Sequence, residues 1–217
     1  MSPEYLRSVA ESPHHQRIKS RGYALMQVKK GHKVLDIGCG PGLDTIPLGH
    51  LVGPSGQVIG VDYDPRMLAE ADRESHRAGV SGWVVHRQAD ATALPFATGH
   101  FDACYSERVL QHVPRVRATA VLAEAVRVTK PGGWVVAIDT DWGSFSVDSD
   151  EVSIERRIML VHASRFANGY SGRRLYRQLR YLGLLDFTVE MFGLPLTFEG
   201  ANRLLAFSEQ LALAQGV

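Results

Sequence analysis

A short apolar run, Val34-Leu35-Asp36-Ile37, stops at Gly38-Cys39-Gly40-Pro41-Gly42 and gives way at once to a stretch of helical period from Leu43 to Leu51. A strand that ends in a glycine-rich turn and feeds a helix opens a β-α-β unit. Such units bury both faces of a parallel sheet under helices. The alternation then repeats. Gln57 to Val61 reads as a second strand after the turn Gly53-Pro54-Ser55-Gly56, and Pro65 to Ala78 as a helix with Pro65 at its first position and Gly79 at its stop. Trp83 to Arg87 reads as a third strand, Phe101 to Tyr105 as a fourth and Trp134 to Ile138 as a fifth. Between the last two lies a helix over Pro114 to Val128, with Val121, Leu122, Ala125 and Val126 at helical spacing. Lys130-Pro131-Gly132-Gly133 fits a type II turn, proline presetting one angle and glycine the positive one. Pro47, inside the first helix, lacks a backbone donor for a reason the sequence does not supply.

Beyond residue 142 the order changes. Glu151 to Phe166, Arg173 to Leu182 and Ala201 to Ala214 read as helices, and Phe187 to Phe192 as a sixth strand. The expected organisation is a helical lid over 1–29, a core over 30–142, and a substrate-side helical insertion, sixth strand and terminal helix over 143–217.

Composition narrows the function. Hydrophobic residues make up 45% and charged residues 22%, enough for a packed core. The formal net charge of +1 carries no block of like sign, which argues against nucleic acid as the partner. The run Arg173-Arg174, Arg177 and Arg180 reads as a solvated helix face. No apolar run approaches the length of a membrane span, and Met1 to Tyr5 lacks the features of a secretory leader. A cytoplasmic location follows as the expectation. Cys39 and Cys104 adjoin apolar runs and read as buried free thiols.

The glycine loop separates two ligand classes. A dinucleotide fingerprint needs glycine or alanine five residues after Gly38, where this chain has Leu43. Pro41 also removes an N–H where a pyrophosphate wants donors. Moreover, Asp36, Asp44, Asp62, Asp90 and Glu107 all fall at or just past the ends of predicted strands, the edge where an open α/β sheet binds its ligand. That much negative charge repels a diphosphate and suits a ligand with cationic groups.

Taken together, these segments resemble the class I S-adenosylmethionine-dependent methyltransferases. Val34 to Gly42 is similar to the first motif, Val58-Ile59-Gly60-Val61-Asp62 to the second, and Gln88-Ala89-Asp90-Ala91 with Leu94-Pro95-Phe96 and Phe101-Asp102 to those that follow. Lys130 to Gly133 resembles the turn before the fifth strand. The nearest subgroup is the type-11 domain of quinone-ring C-methyltransferases and natural-product enzymes. The resemblance implies a Rossmann-like α/β fold, a mostly parallel twisted sheet with helices on both faces. It also implies S-adenosylmethionine as cofactor, S-adenosylhomocysteine as product and a small-molecule substrate. Asp62 would accept from both ribose hydroxyls. Asp90 would accept from the adenine amino group while the Ala91 N–H donates to the ring, with Tyr63 and Met67 on the adenine faces. Gly38, Cys39 and Gly40 would pass close to the cofactor, with Asp36 and Glu107 towards its methionine end. Gln16 or Arg21 would meet the methionine carboxylate if the N-terminal segment is a lid; otherwise that segment is a solvated helix.

Methyl transfer is an in-line displacement, so alignment and exclusion of water matter most, and a base is needed only when the acceptor must lose a proton. His112 is the candidate base, or else a histidine that bonds locally and shapes the pocket; Asp141 is a second catalytic candidate, and Tyr5, Trp142 and Phe166 are expected to line the substrate pocket. Asp139 and Asp141 invite a metal, but no third ligand is identifiable and none is expected. The resembling fold ends with a seventh strand, whereas the residues after Phe192 read as helix, which predicts an unusual C-terminus or a homodimer contact there. Competing readings are a cyclising relative, a non-catalytic S-adenosylmethionine binder and, furthest away, a nicotinamide oxidoreductase.

Overall fold

The apolar runs of the first 140 residues form one five-stranded parallel sheet in the computed structural model, which describes residues 3–214. The chain divides into two units, Met1–Val109 with Arg117–Ile138, and Leu110–Val116 with Asp139–Val217.

The first unit contains α1 (Pro3–Ala10), α2 (Pro13–Leu25), β1 (Lys33–Ile37), α3 (Thr45–Val52), β2 (Gln57–Asp62), α4 (Pro65–Arg77), β3 (Val84–Gln88), β4 (Phe101–Glu107), most of α5 (Arg115–Val128) and β5 (Thr129–Ile138). The strand order is β3-β2-β1-β4-β5. Val34, Leu35, Ile37, Val58, Val61, Phe101 and Tyr105 are almost wholly buried, as expected of parallel strands covered on both faces. Ile37 pairs with Val61 on one side and Ser106 on the other. The register therefore brings the C-terminal ends of β1, β2 and β4 level at the point where the strand order reverses. In an open α/β sheet that is where a crevice forms.

Two local puzzles resolve here. Pro47 is the third residue of α3, where the N–H of a helix has no intrahelical acceptor, so its absence costs nothing. Lys130 to Gly133 falls inside β5, where Phe101 pairs with Thr129 but Ala103 already pairs with Trp134. The intervening residues bulge out, with Gly132 at φ +78° as the type II turn requires.

The second unit contains 3₁₀ turns at Leu110–His112 and Trp142–Ser144 and three helices, α6 (Val152–Ser164), α7 (Ser171–Tyr181) and α8 (Phe198–Ala214). His162 of α6 and Ser208 of α8, both buried, are hydrogen-bonded at 2.8 Å. The expected sixth strand is corrected: Phe187 to Phe192 join no strand ladder among the described residues and lie outside regular structure. Alternation supplies one apolar side but not the partner a strand needs. Val189 is 59% exposed and Met191 95%. No seventh strand occurs among the described residues, and positions 215–217 lie outside them. Among the described residues no helix is long and apolar enough to cross a membrane.

Candidate functional site

The glycine loop after β1 folds back on β2. The N–H groups of Gly38 and Cys39 both donate to the Val61 carbonyl, at 2.7 and 3.0 Å, and that of Gly42 to the Cys39 carbonyl at 3.0 Å. The Gly40 N–H donates to Asp62 Oδ2 at 2.9 Å, and Asp62 Oδ1 accepts from the Asp64 N–H at 2.9 Å. With Pro41 lacking a donor, the loop has spent its N–H groups internally. A phosphate-binding nest needs such groups outward, and residues 38–42 offer none.

Below this loop lies a buried polar network. Serine 12 caps α2, accepting from the His15 N–H at 3.3 Å, with Pro13 in the first turn. Along the helix, Ile18, Lys19 and Gly22 are buried. Gly22 permits the approach, since a Cβ there would stand 2.8 Å from Ile138 and 3.1 Å from Tyr105. The Lys19 ammonium, on a residue only 6% exposed, donates to both Asp44 oxygens at 2.7 Å and to Glu107 Oε2. Tyr23 donates to Asp44 Oδ1 at 2.5 Å and Tyr105 to Glu107 Oε2 at 3.1 Å. Asp36, 2% exposed, has one oxygen, Oδ2, with no hydrogen-bond partner.

The electrostatics follow from crowding. Burial and then Asp44 push the Asp36 carboxyl well above the usual carboxylate range, and the same two causes raise Glu107. Burial pulls the Lys19 ammonium down, but Asp44 and Glu107 more than offset it and its pKa is raised. The Cys39 thiol is held up by burial and by Asp36, which makes it an inert wall rather than a nucleophile.

Asp36, Gly38, Cys39, Gly40, Asp62 and Glu107 therefore gather at one edge of the sheet. Asp90, at the end of β3, is exposed and held by the Thr92 N–H and hydroxyl and by Arg117 Nη2 at 2.7 to 2.8 Å, and those bonds bring its carboxyl down to about 2. Ala91 and Met67 are half-buried and Tyr63 is 79% exposed. Gln16 and Arg21 are exposed, and the Gln16 amide donates to the Ala10 carbonyl at 2.7 Å, closing the α1–α2 turn. The cation that joins the buried acids is Lys19, which sequence reasoning missed. The signal was its helical spacing from Tyr23, four residues on and on the same buried face.

The second unit carries the remaining candidates. Trp142 stacks on Phe166 with centroids 4.6 Å apart and planes at 8°, and its indole N–H donates to Gln111 Oε1 at 2.7 Å. His162 meets Trp142 edge-on at 5.1 Å and Phe145 at 5.4 Å. Burial, followed by Arg165, brings the His162 imidazole down to about 4, and its Nε2 is buried without a partner. Trp142 and Phe166 thus cover each other's faces. His112 is exposed, its Nε2 3.2 Å from the Gln111 amide nitrogen and its ring 6.1 Å from Phe166. Asp141 Oδ2 accepts from Arg173 Nε at 2.7 Å, while its buried Oδ1 has no partner. Tyr5, in the first unit, is 36% exposed. Among the described residues no cluster of three or more His, Cys, Asp or Glu side chains is arranged to hold a metal.

Asp139 offers a pH test. Burial pushes its carboxyl up to about 6, against hydrogen bonds from Ser171, Thr140, Leu110 and Gln111 that pull it down. A carboxyl raised on folding stabilises fully below its ordinary value of 3.8 and loses that contribution as pH climbs through about 6. Relative to Asp139→Asn, the wild type should lose about 1–2 kcal/mol between pH ~4 and pH ~6, measured as urea midpoints. Parallel curves for the two proteins would refute the assignment.

Comparison with known proteins follows the same lines. Residues 34–133 match the model of a family described as a methyltransferase domain. The chain is 36% identical over 135 residues to demethylmenaquinone methyltransferase of Staphylococcus carnosus, covering 62% of this chain and 54% of that protein. The crystal structure of YcgJ protein from Bacillus subtilis superposes with a TM-score of 0.70 at 21% identity, over 93% of this chain and 83% of that one. Geranyl diphosphate C-methyltransferase from Streptomyces coelicolor, solved with Mg2+, geranyl diphosphate and S-adenosyl-L-homocysteine, gives 0.64 at 19% identity, over 80% and 61%. These two likenesses are of fold. The chain spans about half the length of the curated relatives it matches.

Proposed function

We propose, from the premise that this chain belongs to the class I S-adenosylmethionine-dependent methyltransferases, that its first unit binds S-adenosylmethionine and that the protein methylates an oxygen, nitrogen or activated carbon of a small molecule. The observation that carries this reading is the cluster of buried acids at the sheet edge, under a turn whose N–H groups at 38–42 are bonded internally. The buried Asp36 oxygen without a partner fits a cationic donor such as the cofactor's ammonium group. When bound, S-adenosylmethionine supplies a methyl group on a positively charged sulfur.

The chain's residues then divide the work. Asp62 accepts from the ribose hydroxyls with the lone pairs left beside its two backbone bonds. Asp36 and Glu107 hold the amino end, Gly38 and Gly40 allow close backbone approach, and Cys39 walls the loop. Asp90 and Ala91 serve the adenine edge, and Tyr63 and Met67 its faces. In the second unit His112 takes the proton when the acceptor carries one, with Trp142 and Phe166 as the flat apolar surface for a substrate. Asp141, paired to Arg173 through Oδ2, keeps its Oδ1 available for the catalytic role proposed for it.

The near-zero charge supports small molecules over nucleic acid, and buried free Cys39 and Cys104 suit a reducing, cytoplasmic setting. Exposed Leu185, Val189 and Met191 support a homodimer contact, which sedimentation equilibrium tests directly. The central test is calorimetry with S-adenosylmethionine, S-adenosylhomocysteine and NADH, followed by transfer of a radiolabelled methyl group to a panel that begins with naphthoquinols, given the Staphylococcus carnosus relative. Binding of both S-adenosyl compounds with no response to NADH is expected; the reverse would overturn the proposal. Full turnover by His112→Ala on every accepted substrate would remove that residue from the role of base.

A further inference from the structure

Lys19 is buried within the acidic cluster rather than exposed beside it. Its ammonium bridges Asp44 and Glu107, side chains exposed by 11% and 7%, and Asp36 is close enough for its ionisation to feel Lys19, Asp44, Glu107 and Asp62 together. Gly22 is what lets the helix come near enough to deliver it. Here one ammonium is shared by two, and a third carboxylate beside them keeps an oxygen unbonded. One ammonium thus offsets part of the negative charge that these acids can carry.

We infer that Lys19 is a specificity-determining residue that sets how strongly the site prefers the sulfonium cofactor over its neutral demethylated product. This rests on the cofactor reading above. S-adenosylmethionine and S-adenosylhomocysteine share the carboxylate, ammonium, ribose and adenine, and differ by one methyl group and one positive charge on sulfur. Any contact Lys19 makes to the shared parts cancels in the ratio of the two affinities. The remainder is the field of Lys19 at the sulfur, which opposes the sulfonium and leaves the thioether untouched.

The chemistry gives this a purpose. The cofactor's sulfur would be cationic before methyl transfer and neutral after it. A site that clings to that charge stabilises the reactant more than the transition state and slows the step. A cation built into the cluster limits such clinging while leaving enough negative potential to attract the cofactor.

The test is calorimetric titration of both S-adenosyl compounds into the wild type, Lys19→Gln, Asp44→Asn and the double variant. Asp44 makes no side-chain cap to α3, so its replacement spares the helix start. Lys19→Gln should raise the preference for S-adenosylmethionine about fivefold or more, Asp44→Asn should lower it comparably, and the double variant should return it close to wild type. If Lys19→Gln does not fold, the Asp44→Asn shift decides. Parallel weakening of both compounds, or ratios within twofold of wild type in every folded variant, would overturn the inference and leave the site intact. A wild type that binds neither compound would overturn the cofactor reading itself.

Discussion

Asp62→Ala is expected to weaken S-adenosylhomocysteine binding about 100-fold, measured by calorimetry. The side chain does two things that alanine cannot. Its two oxygens already hold the N–H groups of Gly40 and Asp64, each at 2.9 Å, and so fix the glycine loop against the end of β2. Its remaining lone pairs are the proposed acceptors for the ribose. A hydrogen bond to a charged group contributes about 1.5–3 kcal/mol, so losing the ribose contacts and loosening the loop together should cost about 3 kcal/mol of affinity. Asp62→Asn keeps one acceptor oxygen and should lose about tenfold. Thermal unfolding of both variants separates a binding defect from a folding one. An unchanged affinity in a folded Asp62→Ala protein would strip the residue of its assigned role.

Gly38→Ala should destabilise the first unit by about 3 kcal/mol in urea unfolding. The backbone there has φ +71°, a left-handed conformation that costs a residue with a Cβ about 1–2 kcal/mol. The added carbon would also stand 2.3 Å from Val109 Cγ2, a contact that must be relieved by movement. Such overpacking typically costs about 1–3 kcal/mol. The two causes can be separated. Val109→Ala in the Gly38→Ala background should restore about half of the loss by removing the clash, while the backbone strain remains. No recovery in the double variant would show that the Val109 contact is unimportant.

Both predictions concern residues that were legible in the chain, because glycine at a strand end and aspartate at the next are local signals. Asp36, Gly38, Gly40, Asp62 and Glu107 need only the strand boundaries and the rule that parallel strands end at the same edge. Lys19 was not legible. A lysine on an amphipathic helix ordinarily faces water, and burial of this one depends on Gly22 packing close to Ile138 and Tyr105. Gln16 and Arg21, the amide and the cation that the sequence offered for the methionine carboxylate, are exposed on α2. In the second unit, Trp142 and Phe166 were recognisable as aromatic surface, but not their stacking on each other, because that depends on how residues 24 apart pack.

The difference is one of range. Alternating strands and helices, the glycine turn and the row of acids are written in neighbouring residues, and hydrophobic period together with backbone sterics translates them almost directly into a parallel sheet. A sixth strand over Phe187 to Phe192 was written in the same local way, but a strand exists only with a hydrogen-bonded neighbour, and pairing is a tertiary fact. So is charge balance. The sequence determined that carboxylates would crowd one edge of the sheet. Only the packing of α2 against that sheet decided which cation would join them, because Coulomb energy depends on distances between groups far apart in the chain.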